Sequence, residues 1–381
     1  MTVKRVLNVV GRMDRGGIET LIMNIYRNID RNDIQFDFLA HYNKTDADYN
    51  SEIKNLGGKI FEMPQIKTTK NAKYHMIFKY KRALKKFFAT HQEYQIIHIH
   101  MTNTASILIP IARDYGNVKV IISHSHLTRA KEGLIGVVTN FFQRRIEQEA
   151  TDYFACSLEA AKWFYSEKLI NQGRVKIINN GIDSDKFKFS NTLRKKIRCD
   201  LNITNQFVIG HVGRFFPQKN HKLIISIFEH LLVQNSDSVL LLVGEGVLLD
   251  EIKKMTKVKG LSEKVLFLGN RNDVHLLMQA MDVFLMPSLF EGLPVVGVEA
   301  QASGLPCVFS NSITKEIDIT GNNKFVSIDD SLDFWVEALI SFKKFRRVNT
   351  QNLIIEKGYD IKEISSDVQN YYLERLQYYE K

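Results

Sequence analysis

Residues 288–310, SLFEGLPVVGVEAQASGLPCVFS, contain the most informative pattern in the chain. They follow an apolar strand pattern, VFLMP, and predict a helix that contains Glu291 and Glu299, eight positions apart. The first backbone N–H groups of such a helix have no partner within it, so they suit an anionic group such as a diphosphate. Gly292 lets the backbone approach a ligand closely. The segment therefore predicts a strand–helix junction that binds a phosphate-bearing ligand.

Individual contacts can be assigned within this segment. Glu299 is placed to accept hydrogen bonds from ribose hydroxyls, as an acidic residue does in dinucleotide sites. Glu291, at the tip, is placed to reach a sugar. The alternative is a pair of solvent-facing glutamates on an ordinary strand–helix unit. The amides expected to donate to the phosphates are those of Leu293, Pro294, Val295 and Val296.

A second cluster lies at residues 210–221, GHVGRFFPQKNH, where Gly213 ends a strand. Arg214 and Lys219 lie on either side of Pro217 in the turn that follows. Two cations at this position can neutralise a diphosphate leaving group. The alternative is a solvated basic loop, but open α/β sheets place ligands at the carboxyl ends of strands, which favours a functional role.

A third cluster, GRMDRGGIET at residues 11–20, follows the first strand. Gly16 and Gly17 form a flexible turn that can bring backbone N–H groups to phosphates. The segment lacks the G-x-G-x-x-G pattern, so the dinucleotide-binding motif is absent.

Apolar strand patterns alternate with amphipathic helical patterns in both halves of the chain, which predicts two doubly wound parallel-sheet domains of the α/β class. A length of 381 residues also favours two domains. We expect the boundary at 190, within a charged connection near 185–205, and domains at 1–190 and 191–360. Residues 361–381 have a polar and aromatic helical pattern that we expect to pack back on the first domain.

Composition limits the functional classes. The three cysteines have no metal or disulfide spacing, no apolar run is long enough to cross a membrane, and the first residues do not resemble a signal peptide, so we expect a cytoplasmic protein. Residues 1–190 carry 29 Lys and Arg against 19 Asp and Glu, whereas residues 191–381 carry 23 of each. The basic half suits an anionic partner.

Residues 67–88, KTTKNAKYHMIFKYKRALKKFF, predict a basic amphipathic helix. Such a helix can dock on the anionic inner face of a cell membrane. The alternative is a domain helix whose apolar stripe packs on the sheet while its lysines remain solvated. No nucleic-acid-binding motif accompanies the charge, so nucleic acid is not an expected partner. The apolar stripe comprises Ile77, Tyr80, Leu84, Phe87 and Phe88.

Two patterns suggest metal ligands. Histidines two apart on neighbouring strands can converge, but neither Cys nor a carboxylate joins them with ligand spacing, so we expect no zinc site. Asp183 and Asp185 form an Asp-x-Asp tripeptide in the connection between domains, where a capping or turn role is expected. No divalent metal and no cofactor other than the substrate is therefore predicted. The histidines are His98, His100, His124 and His126.

From GGIE through NNGIDSDKF and GRFFPQK to the Glu291–Glu299 pair, the chain resembles glycosyltransferase family 4, retaining enzymes with the GT-B fold. The resemblance implies an acceptor-side domain and a nucleotide-sugar domain facing a cleft. It implies that Arg214 and Lys219 hold the diphosphate, Glu299 the ribose and Glu291 the donor sugar.

The resemblance also places Asn270 and Arg271 beside the nucleobase and a histidine, His126 or else His124, beside the transferred sugar. Bacterial capsule and exopolysaccharide transferases are the most similar relatives, which implies UDP-sugar donors and glycan or polyprenyl-linked acceptors. The implied enzyme is a metal-independent hexosyl- or N-acetylhexosaminyl-transferase that uses front-face attack. The alternatives are a sugar-nucleotide epimerase or a phosphorylase on the same fold, and a non-catalytic partner of another transferase.

Overall fold

The computed structural model describes residues 3–14, 16–41, 47–64, 74–101, 104–126 and 134–380. They form two compact units. The first comprises the described residues up to Gly181 and those from Ile361 onward, and the second is Ile182–Asp360. The structure thus places residues 182–190 in the second unit rather than the first, because Ile182 and Phe187 are buried in its core.

Each unit is built on a sheet of parallel strands. The described strands of the first sheet are β1 (Lys4–Val10), β2 (Ile34–Ala40), β3 (Ile60–Glu62), β4 (Ile96–Ile99), β5 (Val120–Ser125), β6 (Asp152–Ala155) and β7 (Val175–Ile177). Those of the second are β8 (Phe207–Val212), β9 (Ser238–Val243), β10 (Val265–Phe267), β11 (Val283–Met286), β12 (Cys307–Ser310) and β13 (Asn323–Val326).

Helices connect these strands. In the first unit they are α1 (Gly17–Asn28), α2 (Asn50–Asn55), α3 (Tyr74–Thr90), α4 (Ala105–Tyr115), α5 (Leu134–Glu149), α6 (Leu158–Phe164) and α7 (Glu167–Asn171). In the second they are α8 (Ser184–Phe187), α9 (Asn191–Asp200), α10 (His221–Gln234), α11 (Leu249–Val258), α12 (Val274–Ala280), α13 (Val295–Ala302), α14 (Leu332–Ile340) and α15 (Gln351–Glu356). The last helix, α16 (Ile361–Glu380), belongs to the first unit.

The strand orders are β3-β2-β1-β4-β5-β6-β7 and β10-β9-β8-β11-β12-β13. In each sheet the first strand lies between the second strand and a later one, so the winding reverses between β1 and β4 and again between β8 and β11. Ligands of open α/β sheets bind outside the carboxyl ends of the strands at such a reversal. These orders confirm the prediction of two doubly wound parallel sheets.

The apolar stripe of α3 is part of the core of the first unit. Tyr80, Leu84 and Phe88 are fully buried and Phe87 is 7% exposed. The structure therefore agrees with the domain-helix alternative for the stripe, because these side chains are not available to a bilayer. Residues 67–73 of the basic stretch lie outside the described residues. Among the described helices, none has the length and apolar character needed to cross a membrane.

Helix α16 completes the other face of the first sheet. Its Val368, Tyr372 and Leu376 are buried in one cluster with β2 residues, and the Tyr372 ring lies 6.0 Å from that of Phe36. The end of the chain is thus part of the same core as its beginning.

Candidate functional site

The loops that follow β8, β9 and β10 contact one another at the carboxyl edge of the second sheet. The Gly213 N–H donates to the Val243 carbonyl at 2.9 Å, and the Gly244 N–H donates to the Gly269 carbonyl at 2.8 Å. Gly244 has a φ of 138°, and a Cβ there would lie 2.2 Å from the Gly213 carbonyl oxygen. Only glycine permits this approach. Gly244 is not among the residues predicted from the sequence, although the VGEG pattern at residues 243–246 signals it.

Lys219 and Glu291 form a largely buried ion pair where the winding of the second sheet reverses. The Lys219 Nζ lies 2.7 Å from Glu291 Oε1, and the side chains are 17% and 9% exposed. Lys219 ends a short 3₁₀ turn, Pro217–Lys219, after β8. The loop after β11 is tied to that turn because the Leu289 N–H donates to the Gln218 carbonyl at 2.9 Å. Lys219, expected to hold the diphosphate, and Glu291, expected to hold the sugar, therefore contact each other directly.

The expected helix containing Glu291 begins later than predicted. Helix α13 starts at Val295, and Glu291 lies in the loop before it. The reason is Pro294, which caps the helix in an extended conformation and disfavours a helical conformation for the residue before it. Proline also has no N–H, so the predicted donation from Pro294 to a phosphate is wrong. Leu293, Val295 and Val296 remain as candidate donors.

Glu299 lies within α13 and is partly buried. Burial raises the pKa of Glu299 to about 7, and the positive charge of Lys186 in α8 opposes that rise. An acid that titrates near neutral pH at the edge of a parallel sheet is a common feature of ligand sites. Sequence reasoning had not connected Lys186, in the motif NNGIDSDKF, with Glu299.

Arg214, Asn270 and Arg271 are exposed, whereas Gly292 is partly buried. The Arg214 guanidinium lies 5.3 Å from the centre of the Phe216 ring on the same loop. Arg271 pairs with Asp273 at 2.5 Å, and Asn270 precedes it on the surface. The structure therefore places Arg214 on the loop that carries Lys219, with Asn270 and Arg271 on the loop after β10.

Two buried histidines support the loop after β8, and both were overlooked in GHVGRFFPQKNH. The His211 Nδ1 lies 2.8 Å from the Leu285 carbonyl oxygen. The His221 ring stacks on Phe215 at 3.9 Å. Burial lowers the pKa of His221 to about 4 and that of His211 as well, so neither adds charge to the site at neutral pH. Their role is to pack beneath the loop.

Gly16 and Gly17 lie at the carboxyl edge of the first sheet, where α1 begins at Gly17. The Gly16 N–H donates to the Asp14 carbonyl at 2.9 Å, so this amide is already occupied. Glu19, in the first turn of α1, has its pKa raised by burial and by the neighbouring Asp14. Helix α1 thus begins at this edge with Gly17 exposed, and contact of its amide with a phosphate stays a prediction.

The four histidines also lie at this edge and come together as two hydrogen-bonded pairs. His98 Nε2 lies 3.1 Å from His124 Nδ1, and His100 Nδ1 lies 3.0 Å from His126 Nε2. One pair stacks on the other, with ring centres 4.2 Å apart for His98 and His100 and 4.0 Å apart for His124 and His126. Burial lowers the pKa of all four imidazoles.

Three of these histidines, His98, His100 and His124, have ring nitrogens within 4.8 Å of one another. A tetrahedral metal requires nitrogen lone pairs, which lie in the ring planes, to point at one centre. Among these three rings, the planes differ by 11° for His98 and His124, 31° for His98 and His100, and 41° for His100 and His124. His98 and His124 lie on nearly parallel planes and already share a hydrogen bond, which suits stacking better than tetrahedral ligation.

The Asp183–Asp185 tripeptide has the expected local role. Asp183 caps α8, with its Oδ1 accepting from the Lys186 N–H at 3.1 Å. Asp185 accepts from the Gln351 side chain at 2.5 Å. The predicted capping role of Asp183 is confirmed.

Comparisons with known proteins show the family of the chain. Residues 15–186 match the family model described as Glycosyltransferase Family 4, and residues 194–360 match Glycosyl transferases group 1. The putative glycosyltransferase EpsF of Bacillus subtilis is 34% identical over 377 residues, which cover 97% of this chain and 96% of EpsF. An Escherichia coli UDP-Gal:alpha-D-GlcNAc-diphosphoundecaprenol alpha-1,3-galactosyltransferase is 30% identical over 65% of this chain and 66% of its own.

The crystal structure of Anabaena Alr3699/HepE in complex with UDP has the same fold, with a TM-score of 0.77 at 20% identity over 97% of this chain and 100% of that one. Two doubly wound parallel-sheet units of this kind define the GT-B fold. The chain belongs to glycosyltransferase family 4. Its relatives include enzymes of lipid-linked polysaccharide biosynthesis.

Proposed function

We propose that this glycosyltransferase moves a hexosyl or N-acetylhexosaminyl group from a UDP-sugar to a hydroxyl of a polyprenyl-linked saccharide in capsule or exopolysaccharide synthesis. The named donor and acceptor of the Escherichia coli relative, and the UDP bound by HepE, support this choice. Catalysis takes place with retention, without a metal ion, at the cytoplasmic face of the membrane.

The Lys219–Glu291 ion pair carries the proposal. A diphosphate that approaches the loop after β8 competes with the Glu291 carboxylate for the Lys219 ammonium. Once Lys219 turns to the phosphate, Glu291 is released to accept hydrogen bonds from sugar hydroxyls. One event therefore binds the leaving group and prepares the sugar contact, which couples donor recognition to catalysis.

The leaving group is stabilised by positive charge and by backbone donors. As the bond from the anomeric carbon to the phosphate oxygen breaks, negative charge builds up on the diphosphate. Lys219, Arg214 and the amides of Leu293, Val295 and Val296 at the start of α13 offset this charge. Glu299 accepts from the ribose hydroxyls. The two cations supply the charge that a divalent ion provides in other transferases, so a chelator is expected to leave activity intact.

Retention follows if the acceptor oxygen attacks the face from which the diphosphate departs. The new bond joins the acceptor oxygen to the anomeric carbon, and the acceptor proton passes to the departing phosphate oxygen. This step needs no carboxylate nucleophile, and no side chain has been assigned that role. Proton NMR of the product formed from a UDP-sugar distinguishes retention from inversion.

Calorimetry tests the proposal directly. UDP and UDP-sugars are titrated into the wild-type protein and into a variant that combines Arg214→Ala with Lys219→Ala. We expect the titrations to show binding by the wild type. In rate assays with a UDP-sugar, we expect the variant to lose at least about a hundredfold in turnover. Absence of binding by every nucleoside diphosphate and sugar nucleotide would contradict the proposal. An epimerase would instead convert donor alone, and a phosphorylase would need inorganic phosphate.

A further inference from the structure

Asn8, His100 and His126 form a continuous chain of hydrogen bonds in the first unit. Asn8 lies in β1 and is 1% exposed, and His100, which directly follows β4, is 9% exposed. The Asn8 Oδ1 lies 3.2 Å from His100 Nε2, and His100 Nδ1 lies 3.0 Å from His126 Nε2. The chain thus runs from the middle of the sheet to the residue that follows β5.

The direction of each hydrogen bond follows from the Asn8 oxygen. An amide oxygen only accepts, so His100 must carry a proton on Nε2. Burial lowers the pKa of His126 to about 3 and that of His100 as well, so both rings are neutral at pH 7. A neutral imidazole has one ring proton, which leaves His100 Nδ1 as an acceptor. His126 must therefore donate from Nε2, and its Nδ1 keeps a lone pair.

We propose that Asn8 and His100 are positioning residues that hold His126 as the Nε2–H tautomer and so present its Nδ1 as a hydrogen-bond acceptor. An acceptor nitrogen pairs with a ligand hydroxyl and is unfavourable beside an ionised phosphate oxygen, which has no proton to donate. The identity of that hydroxyl, on the transferred sugar or its acceptor, rests on the proposed function. The tautomer of the unliganded protein does not.

The second histidine pair provides a matched control. His98 Nδ1 lies 2.6 Å from the Tyr372 hydroxyl, and His98 Nε2 lies 3.1 Å from His124 Nδ1. A tyrosine hydroxyl both donates and accepts, so it does not dictate a tautomer. Tyr372→Phe removes one buried hydrogen bond at the end of this pair and leaves the contacts of Asn8, His100 and His126 in place.

Nitrogen NMR of the full-length, unliganded protein labelled with ¹⁵N-histidine tests the inference at pH 7. Long-range ¹H–¹⁵N spectra distinguish a protonated ring nitrogen from a bare one, and loss of signals in H126Q assigns His126. We expect the Nε2–H tautomer in the wild type and in Tyr372→Phe. Asn8→Leu, which removes the acceptor at similar size, is expected to give a mixture of both tautomers.

Kinetics add a second measurement. In Asn8→Leu we expect kcat with a UDP-sugar to fall in proportion to the fraction of His126 in the Nδ1–H tautomer, about twofold for an even mixture, because only the Nε2–H form presents the acceptor nitrogen. UDP affinity measured by calorimetry is expected to remain unchanged, since the proposed phosphate-binding residues lie in the second unit. Tyr372→Phe is expected to keep its kcat.

Two results would overturn the inference. One is the Nδ1–H tautomer of His126 in the wild type, which would mean that the Asn8 amide donates to His100 and that both bonds run the other way. The other is an Asn8→Leu spectrum that keeps the Nε2–H tautomer alone. If Asn8→Leu does not fold, the wild-type spectrum still decides. An Nε2–H result in a protein that binds no nucleotide would refute the proposed function and leave the tautomer assignment standing.

Discussion

In the unliganded protein, Lys219 and Glu291 pair with each other, so neither side chain is available to a ligand until the pair opens. We expect Glu291→Gln to bind UDP about threefold more tightly than the wild type, because Lys219 no longer has to leave a carboxylate before it meets the phosphate. The same change is expected to lower turnover of a UDP-sugar by at least about a hundredfold, since the sugar loses its charged acceptor. Calorimetry and initial rates measure the two effects.

The control is Glu251→Gln, which breaks the exposed pair between Lys222 and Glu251 and is expected to change neither quantity. Weaker UDP binding by Glu291→Gln than by the wild type would show that Glu291 supports Lys219 rather than competing with the phosphate.

Glu299 makes donor binding depend on pH. Its pKa of about 7 means that the carboxyl is largely protonated at pH 6 and largely ionised at pH 8. Ribose hydroxyls donate best to the ionised form, so donor binding favours loss of that proton. The affinity for a UDP-sugar, whose diphosphate keeps its charge over this range, is therefore expected to rise about tenfold from pH 6 to pH 8.

Glu299→Gln is the matched variant for this prediction, because it keeps the size of the side chain and has no titrating group. Its affinity is expected to be low and independent of pH over the same range. Calorimetric titrations at pH 6, 7 and 8 provide the measurement, and an equal slope for wild type and variant would exclude Glu299 as the titrating group.

At the residue scale, sequence patterns predicted which residues carry the chemistry better than they predicted which residues contact one another. The motifs identified Lys219 and Glu291 as charged site residues. Their ion pair forms because β8 and β11 are neighbours in the sheet, although they are far apart in sequence. The predicted donation from Pro294 to a phosphate is wrong because proline has no backbone N–H, which the sequence alone is enough to show. The raised pKa of Glu299 depends on burial by folded neighbours, which no local pattern reports.

Among the loops of the second sheet, the contact between Gly213 and Gly244 is the least tolerant of change. Gly244→Ala would bring a Cβ within 2.2 Å of a backbone oxygen and is expected to displace the loop after β8. We expect UDP to bind at least about tenfold more weakly and the protein to lose about 2 kcal/mol or more of stability. Calorimetry and chemical denaturation measure these changes.

Gly260→Ala separates crowding from backbone strain. Gly260 also has a positive φ, 69°, but a Cβ there meets no atom within 4 Å. Its replacement is expected to lower stability modestly and to leave UDP affinity unchanged. Equal losses of affinity in the two variants would show that the Gly213–Gly244 contact has no special role in the site.

The apolar residues and the lysines of α3 differ in their availability to a membrane. The apolar stripe of the helix is in the core, whereas Lys79, Lys81 and Lys86 are exposed. These lysines contribute electrostatic attraction to an anionic bilayer, about 1 kcal/mol each, and Phe78, which is 70% exposed, is an apolar side chain of α3 outside the core. Reversing these three lysines to glutamate is expected to weaken binding to phosphatidylserine vesicles at least about a hundredfold in low salt, as measured by sedimentation.

The control for α3 carries the same charge change on the second unit, at Lys195, Lys254 and Lys257, all of which are exposed. It is expected to retain most of the vesicle binding. If both triple variants lose binding equally, net charge rather than α3 is responsible, and if neither does, the membrane contact lies elsewhere or does not exist.

At the scale of elements, most strands were predictable, but β7 and β13, each at one edge of its sheet, were not. β9, with the sequence SVLLLV, is almost entirely apolar because both faces of a central parallel strand are covered. β7 and β13, with the sequences VKI and NKFV, are short, partly exposed and contain lysine, so nothing in their local pattern separates them from a loop. These two strands are recognised only once a neighbour pairs with them.

For the whole molecule, α16 is the element on which the first unit most depends. A chain that ends after Asp360 loses the buried side chains of Val368, Tyr372 and Leu376 and exposes the sheet face that they cover. Each such loss costs about 2–5 kcal/mol, so the thermal transition of the first unit is expected to fall by more than about 10 °C or to disappear. Scanning calorimetry with and without UDP assigns the transitions.

In that experiment UDP is expected to raise only the transition of the second unit, which holds the proposed phosphate-binding residues. A chain that ends at Gln377, and so lacks the exposed Tyr378 and Tyr379, provides the control and is expected to unfold like the full-length protein. A chain ending after Asp360 whose first unit still unfolds at the wild-type temperature would show that α16 is dispensable.

The return of α16 to the first unit also sets an order of events during synthesis. Domains usually fold as they leave the ribosome, the N-terminal one first. Here every residue of the second unit, Ile182–Asp360, is translated before the helix that completes the first. The face of the first sheet that α16 covers therefore stays exposed while the second unit is synthesised. We expect a chaperone to bind this apolar face until α16 has been translated.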